Sequence, residues 1–230
     1  MQPLQRENIR LAATVMLIRD NPAGLQVYMV KRPGRGDFPD LHVFPGGKVD
    51  EDDWLPDSCP TLTDQEASAR LGVSAGGLRY WVAVARECFE ECGVLLANSV
   101  SGPIQLDAAQ QQSIGASRQD LLQGDISWAT VLQQQQVTIA SDRLVYFSHW
   151  ITPPSVPRRF DTRFFLAAMP ADQNAAAALR PGPGKGHLRW NRSKTAQAEG
   201  DPGKHRPRQP GCLPLSRNDR RKHRLCRSPH

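Results

Sequence analysis

Residues 86–94 read RECFEECGV, and the fold turns on how this stretch is understood. On a helix, Glu87, Glu90 and Glu91 fall at i, i+3 and i+4 and converge on one face. Like charges at these spacings destabilise an isolated helix by roughly 0.2–0.5 kcal/mol per pair, so an opposite charge is needed nearby. A divalent cation is the natural candidate. Hard carboxylate oxygens suit Mg²⁺ or Mn²⁺, with substrate phosphates completing the shell. Arg86 adds a fixed positive charge that can hold a neighbouring carboxylate in place. Taken by itself, the cluster also reads as a solvated helix face.

The surrounding sequence favours the first reading. LRYWVAVARECFEECG (78–93) predicts a helix with Trp81, Ala85, Cys88 and Cys92 on one apolar face, widened by Val82 and Val84, and with Gly93 as its stop. Upstream, HVFPGGKV (42–49) predicts a short strand entering a glycine turn. There the backbone can approach closely and a carbonyl can join a metal shell. Between the two, TDQEASARLG (63–72) carries a capping box, Thr63 with Glu66, and ends at Gly72. RLAATVMLIRD (10–20) and LQVYMVKR (25–32) flank the turn signal NPAG and predict a β-hairpin. Helices are expected around 105–112 and 126–135. Strands are expected in DRLVYFSHWITP (142–153) and RFDTRFFLAAMP (159–170). Strands, glycine turn, helix, helical segment, strands: this order predicts an α/β domain with a mixed sheet.

Together these residues resemble the Nudix hydrolase motif, G-x5-E-x7-R-E-U-x-E-E-x-G-U, with U a bulky apolar residue. RECFEECGV fits every fixed position of the second half. Gly47 opens the first half, Asp53 stands at the glutamate position, and 32 residues separate Asp53 from Arg86 where the pattern has seven. The motif is therefore interrupted by about 25 residues, over 54–78. An interrupted motif, with HVFPGG, SHWITP and RRFDTRFFLAA, is similar to the larger coenzyme A diphosphatase-like branch, and the resemblance spans about 8–175. It implies a Nudix-type α/β/α sandwich that hydrolyses a diphosphate bond in a nucleoside diphosphate-linked compound such as coenzyme A or acyl-CoA. Nucleotide sugars and nucleoside triphosphates are the alternative substrates, and a non-catalytic Nudix-fold binding protein is the alternative role. By position, Glu87, Glu90, Glu91 and a carbonyl at Gly46 or Gly47 would hold Mg²⁺ or Mn²⁺, and Arg86 would orient a glutamate. The base is Glu87 or a carboxylate outside the motif.

Composition sets the remaining bounds. Of 230 residues, 39% are hydrophobic, and no apolar run approaches the roughly 20 residues of a membrane span. The N-terminal segment lacks the apolar core of a secretory signal, so a cytoplasmic protein is expected. Five cysteines without a CxxC pair argue against a disulfide framework or a zinc ribbon, and Cys88 and Cys92, four apart, read better as core packing than as soft-metal ligands. Charge is divided unevenly. Residues 180–230 carry 14 Lys and Arg against 3 acids, while the preceding residues have a net of −5. This low-complexity Pro/Gly-rich basic tail cannot bury enough surface to order itself. It is expected to be disordered or out of frame with the domain, with any nucleic-acid binding confined to it. A Nudix domain would continue here with a strand and a helix, and neither is legible beyond residue 180. An uncovered sheet face and a tendency to aggregate are the expected result.

Lys31 and Arg32 precede the glycine turn and are candidate phosphate contacts, as is Arg35. His42 and His149 are expected to be packed, hydrogen-bonded histidines, and Asp161 with Arg163 an ion pair at a strand end. Tyr80, Trp81, Trp128 and Trp150 are expected in the core.

Overall fold

The computed structural model describes residues 9–31, 41–156, 158–175 and 188–192. Their elements in chain order are β1 (Ile9–Arg19), β2 (Gln26–Lys31), β3 (His42–Val43), β4 (Gly46–Lys48), α1 (Asp64–Leu71), α2 (Leu78–Cys92), β5 (Ala97–Ser99), β6 (Gly102–Pro103), α3 (Ala108–Gln123), α4 (Trp128–Gln134), β7 (Thr138–Ile139), β8 (Val145–Ile151), β9 (Arg159–Ala168) and β10 (Leu188–Arg192).

The main sheet runs β10-β2-β1-β9-β8, with β3 on β2 and β4 on β1. It is mixed, as expected. β1 and β9 are parallel over Ile9–Ile18 and Arg159–Ala168, and the other pairs are antiparallel. β1 and β2 form the expected hairpin, turned by an Asn21 side chain that accepts the Ala23 N–H at 3.0 Å. A small second sheet joins β6, β5 and β7.

Alternation decides which side of the main sheet is covered. Ala13, Val15 and Leu17 of β1 and Phe165 and Ala167 of β9 point at α2 and are buried. Trp81 of α2 meets Phe165 edge-on, with ring centroids 4.9 Å apart. Fully burying each such large side chain contributes about 1.5–3 kcal/mol. The expected apolar face of α2 is present, but burial extends nearly all round the helix because α1 and α3 pack against it and Trp128 of α4 meets Phe89. Cys88 and Cys92 are buried free thiols 3.6 Å apart, which agrees with a packing role.

The segment that interrupts the motif is built into the domain. α1 has the predicted Thr63–Glu66 capping box and stops at Gly72 in the left-handed conformation. Cys59, Leu62, Ala67 and Leu71 enter the main core. The insertion also caps α2, whose own N-cap, Gly77, has no side chain. Asp64 accepts the N–H groups of Leu78 at 2.9 Å and Gly76 at 3.0 Å, and Ser68 Oγ accepts that of Gly77 at 2.9 Å. An acid at a helix N-terminus also suits the helix dipole. The 25-residue excursion thus returns the chain with the helix end already satisfied.

Three expectations about the elements and core need correction. The helix placed at 105–112 runs from Ala108 to Gln123, between an Asp107–Gln110 capping box and Gly124. Only Ile114, Ser117 and Arg118 of it are buried, so apolar periodicity could not reveal its length. Trp150 is not core: it is 67% exposed, on the sheet face opposite α2. Inside the segment read as structureless tail, Leu188–Arg192 forms β10 against β2, because backbone pairing does not require an apolar pattern. The rest of 180–230 lies outside the described residues.

Candidate active site

Arg86 is the hub of the site. Its guanidinium has five N–H donors, and five acceptors surround it. Nε and Nη2 hold both Asp53 oxygens, at 2.8 and 2.9 Å. Nη1 donates to Glu87 Oε1 at 2.9 Å and Glu90 Oε1 at 3.2 Å, and Nη2 also donates to the Lys48 carbonyl at 3.0 Å. Asp53 is 1% exposed and closes a tight turn over Glu51–Asp53, accepting the Asp50 N–H at 2.8 Å. That turn brings the shorter aspartate within reach of Arg86. Burial works against the Arg86 charge. The Asp53 hydrogen bonds and the Asp53, Glu87 and Glu90 carboxylates outweigh it and raise its pKa. The like charges of the helix are therefore countered first by a residue of the motif itself.

The glycine turn meets this cluster as expected. Glu91 Oε2 accepts the Gly46 N–H at 3.0 Å. A Cβ on Gly47 would meet the Glu87 carboxyl group and force that side chain to shift. Thr14 Oγ1 secures the turn from β1 by donating to the Pro45 carbonyl at 2.7 Å. Burial pushes the Glu87 carboxyl up to about 7. Arg86 opposes this, and Glu90 and Glu91 add to it.

The fold thus brings together Gly47, Arg86, Glu87, Glu90 and Glu91. Among the described residues, no three His, Cys, Asp or Glu side chains are grouped to hold a metal ion. The donor set nevertheless fits a hard cation. It consists of oxygens only, on one helix end, against a glycine backbone without a Cβ. Lys31 ends β2, paired with His42, while Arg32 and Arg35 lie outside the described residues.

Two cavities flank the cluster. One of about 680 Å³ lies on the sheet face away from α2 and is lined by Gly46, Gly47, His42, Trp150, Phe160 and Phe164. The other, about 940 Å³, is lined by Asp50, Asp53, Arg86 and Glu90 with Trp54 and Trp128. The aromatic lining of the first was missed in the sequence. His42 is exposed at its wall rather than packed. His149 is also exposed and bonds Asp161 at 2.6 Å, and Asp161 pairs with Arg163 at 3.4 Å. The one signal for the aromatic wall was the aromatic content of DRLVYFSHWITP and RFDTRFFLAAMP, which equally describes a core.

No family model matches the chain. It is 32% identical over 143 residues to a Caenorhabditis elegans protein named nudix hydrolase 7, covering 61% of this chain and 39% of that protein. It is 22% identical over 188 residues to the acyl-coenzyme A diphosphatase NUDT19 of Xenopus laevis, covering 66% of this chain and 50% of that one. The chain thus spans half or less of the curated relatives it matches. The crystal structure of a NUDIX hydrolase from Alicyclobacillus acidocaldarius superposes with a TM-score of 0.62 at 24% identity, over 80% of this chain and 79% of the other. In sequence the chain resembles Nudix hydrolases, and its fold is theirs.

Proposed function

We propose that the chain is a Nudix hydrolase that cleaves a phosphoric anhydride bond with the help of Mg²⁺ or Mn²⁺. One observation carries the reading. The Arg86-centred carboxylate cluster and the 680 Å³ cavity share the same glycine turn, Gly46–Gly47. A diphosphate at that turn would have acidic groups on one side and an aromatic-lined space for its organic part on the other.

Glu87, Glu90, Glu91 and a Gly46 or Gly47 carbonyl would hold the cation. When bound, it neutralises phosphate charge and lowers the pKa of a coordinated water. The chain's own residues do the rest. Asp53 fixes Arg86, and Arg86 keeps Glu87 and Glu90 from drifting apart. Gly46 N–H sets Glu91. The base that takes the water's proton is Glu87 or a carboxylate outside the motif. Trp150, Phe160 and Phe164 offer apolar surface to a base or acyl group.

Coenzyme A or acyl-CoA is the leading substrate, supported by the acyl-coenzyme A diphosphatase relative. Nucleotide sugars and nucleoside triphosphates come next. A non-catalytic role fits less well, since Asp53, at the position where the motif has glutamate, still clamps Arg86 through both oxygens. A cytoplasmic location is part of the same proposal. The test is a panel of diphosphates with Mg²⁺ and Mn²⁺, read by product mass. Release of 3′,5′-ADP and a phosphopantetheine from coenzyme A is expected. Glu90→Gln and Glu91→Gln should abolish turnover while the fold survives, and undiminished turnover in both variants would reject the proposal.

A further inference from the structure

A helix ends with carbonyls that have no partner within it. The last turn of α2 carries Glu90 and Glu91. Gly93 N–H serves the Phe89 carbonyl at 2.9 Å. The Glu90 carbonyl is served from another helix. Arg118 of α3 reaches it with Nη2 at 2.9 Å and Nε at 3.3 Å.

We propose that Arg118, outside the motif, is a positioning residue that fixes the last turn of α2 and so sets where Glu90 and Glu91 stand; the inference rests on the function proposed above. Arg118 is 9% exposed, and α3 is anchored beside it by buried Ile114 and Ser117. Burial lowers its pKa, while Cys92, Tyr28 and Cys88 act in the opposite sense. A cation in this place is costly, yet it suits the negative end of the helix dipole. Gly93 makes room for it: a Cβ there would stand 2.8 Å from Nη1, and the residue is left-handed at φ 70°. The final glycine of RECFEECGV therefore admits the guanidinium as well as ending the helix.

The consequence is selective. Glu87 lies a turn further in and is held by Arg86 and faced by Gly47. Glu90 and Glu91 depend on the last turn to meet Arg86 and the Gly46 N–H. Loosening that turn displaces these two and leaves Glu87 in place.

The test uses the full chain with Arg118→Lys, which keeps the charge and loses the fork, and Arg118→Met. Amide hydrogen exchange, Mn²⁺ affinity by electron paramagnetic resonance, and kcat and KM for coenzyme A are measured. Outer partners of metal ligands typically change affinity by about 10–100-fold. Mn²⁺ affinity should fall by about tenfold in Arg118→Met and less in Arg118→Lys, with kcat lowered and KM little changed. Exchange should rise at residues 91–93 and stay unchanged at 83–87. A lower melting temperature with unaltered Mn²⁺ affinity would reduce Arg118 to a stabilising residue and overturn the proposal. Should Arg118→Met fail to fold, Arg118→Lys carries the same comparison. Should the wild-type chain neither bind Mn²⁺ nor hydrolyse any diphosphate, the proposed function falls. Exchange at 91–93 then decides the clamp alone, and an unchanged rate overturns it.

Discussion

Glu87 carries the proton balance of the site. Its carboxyl is raised from 4.5 to about 7, so the folded chain keeps a proton that the unfolded chain has released. The stability this group contributes is fully present below about 4.5 and is lost as pH rises through about 7. At about 1.4 kcal/mol per pKa unit the effect is on the order of 3 kcal/mol. Chelator-treated protein should therefore lose urea resistance across this window, and Glu87→Gln should flatten the loss. An identical pH profile in the variant would contradict it. Asp53 gives a second prediction. Removing one partner of a buried ion pair typically costs about 3–5 kcal/mol, so Asp53→Ala should cost that much by urea denaturation. Asp53→Glu keeps the charge but adds a methylene to a site 1% exposed, and should cost about 1–3 kcal/mol. The carboxylates were legible in the sequence because helical spacing alone puts them on one face. The role of Trp150 was not, because an aromatic residue in a strand reads the same whether a helix or a cavity lies over it.

Among the elements, α2 is held at both ends by side chains from outside it. Asp64 of the insertion supplies the N-terminal acceptor and Arg118 of α3 the C-terminal donor. Loss of a side-chain cap typically costs about 0.5–2 kcal/mol. Asp64→Ala should lower stability by about 1 kcal/mol with an unchanged denaturant slope, and a neutral result would mean that Ser68 and solvent suffice. α1 and the hairpin were read from local signals, namely a capping box with a glycine stop and a turn between apolar runs. The extent of α3 was hidden because Gln, Ser and Ala favour a helix without marking a buried face. The joining of the two motif halves was legible only as a requirement. What meets it is the tight turn at Glu51–Asp53 and the Asp64 cap, which no spacing rule encodes.

For the whole molecule, the two faces of the main sheet differ. One is sealed by α2. The other carries the aromatic cavity and leads to β8, where Val145, Phe147, Trp150 and Ile151 are exposed. Among the described residues β8 has a single ladder neighbour, β9, and Val145–Ile151 has no Lys, Arg, Asp, Glu or Pro to guard it. Uncharged edges of this kind template pairing with other chains. Phe147→Lys should lower light scattering at high protein concentration while changing stability by less than about 0.5 kcal/mol, the usual scale for surface changes. Scattering equal to that of the parent would show that this edge is harmless. The parallel pairing of β1 with β9 has a further consequence, one of time. Ile9 must wait for Arg159, about 150 residues later, before its ladder can close. On the ribosome, β1, its neighbours β2 and β4 and the completed carboxylate motif emerge well before β9, the parallel partner of β1. A nascent chain halted before Arg159 would hold every acidic residue of the site while Ala13, Val15 and Leu17 still lacked Phe165 and Ala167 beside them.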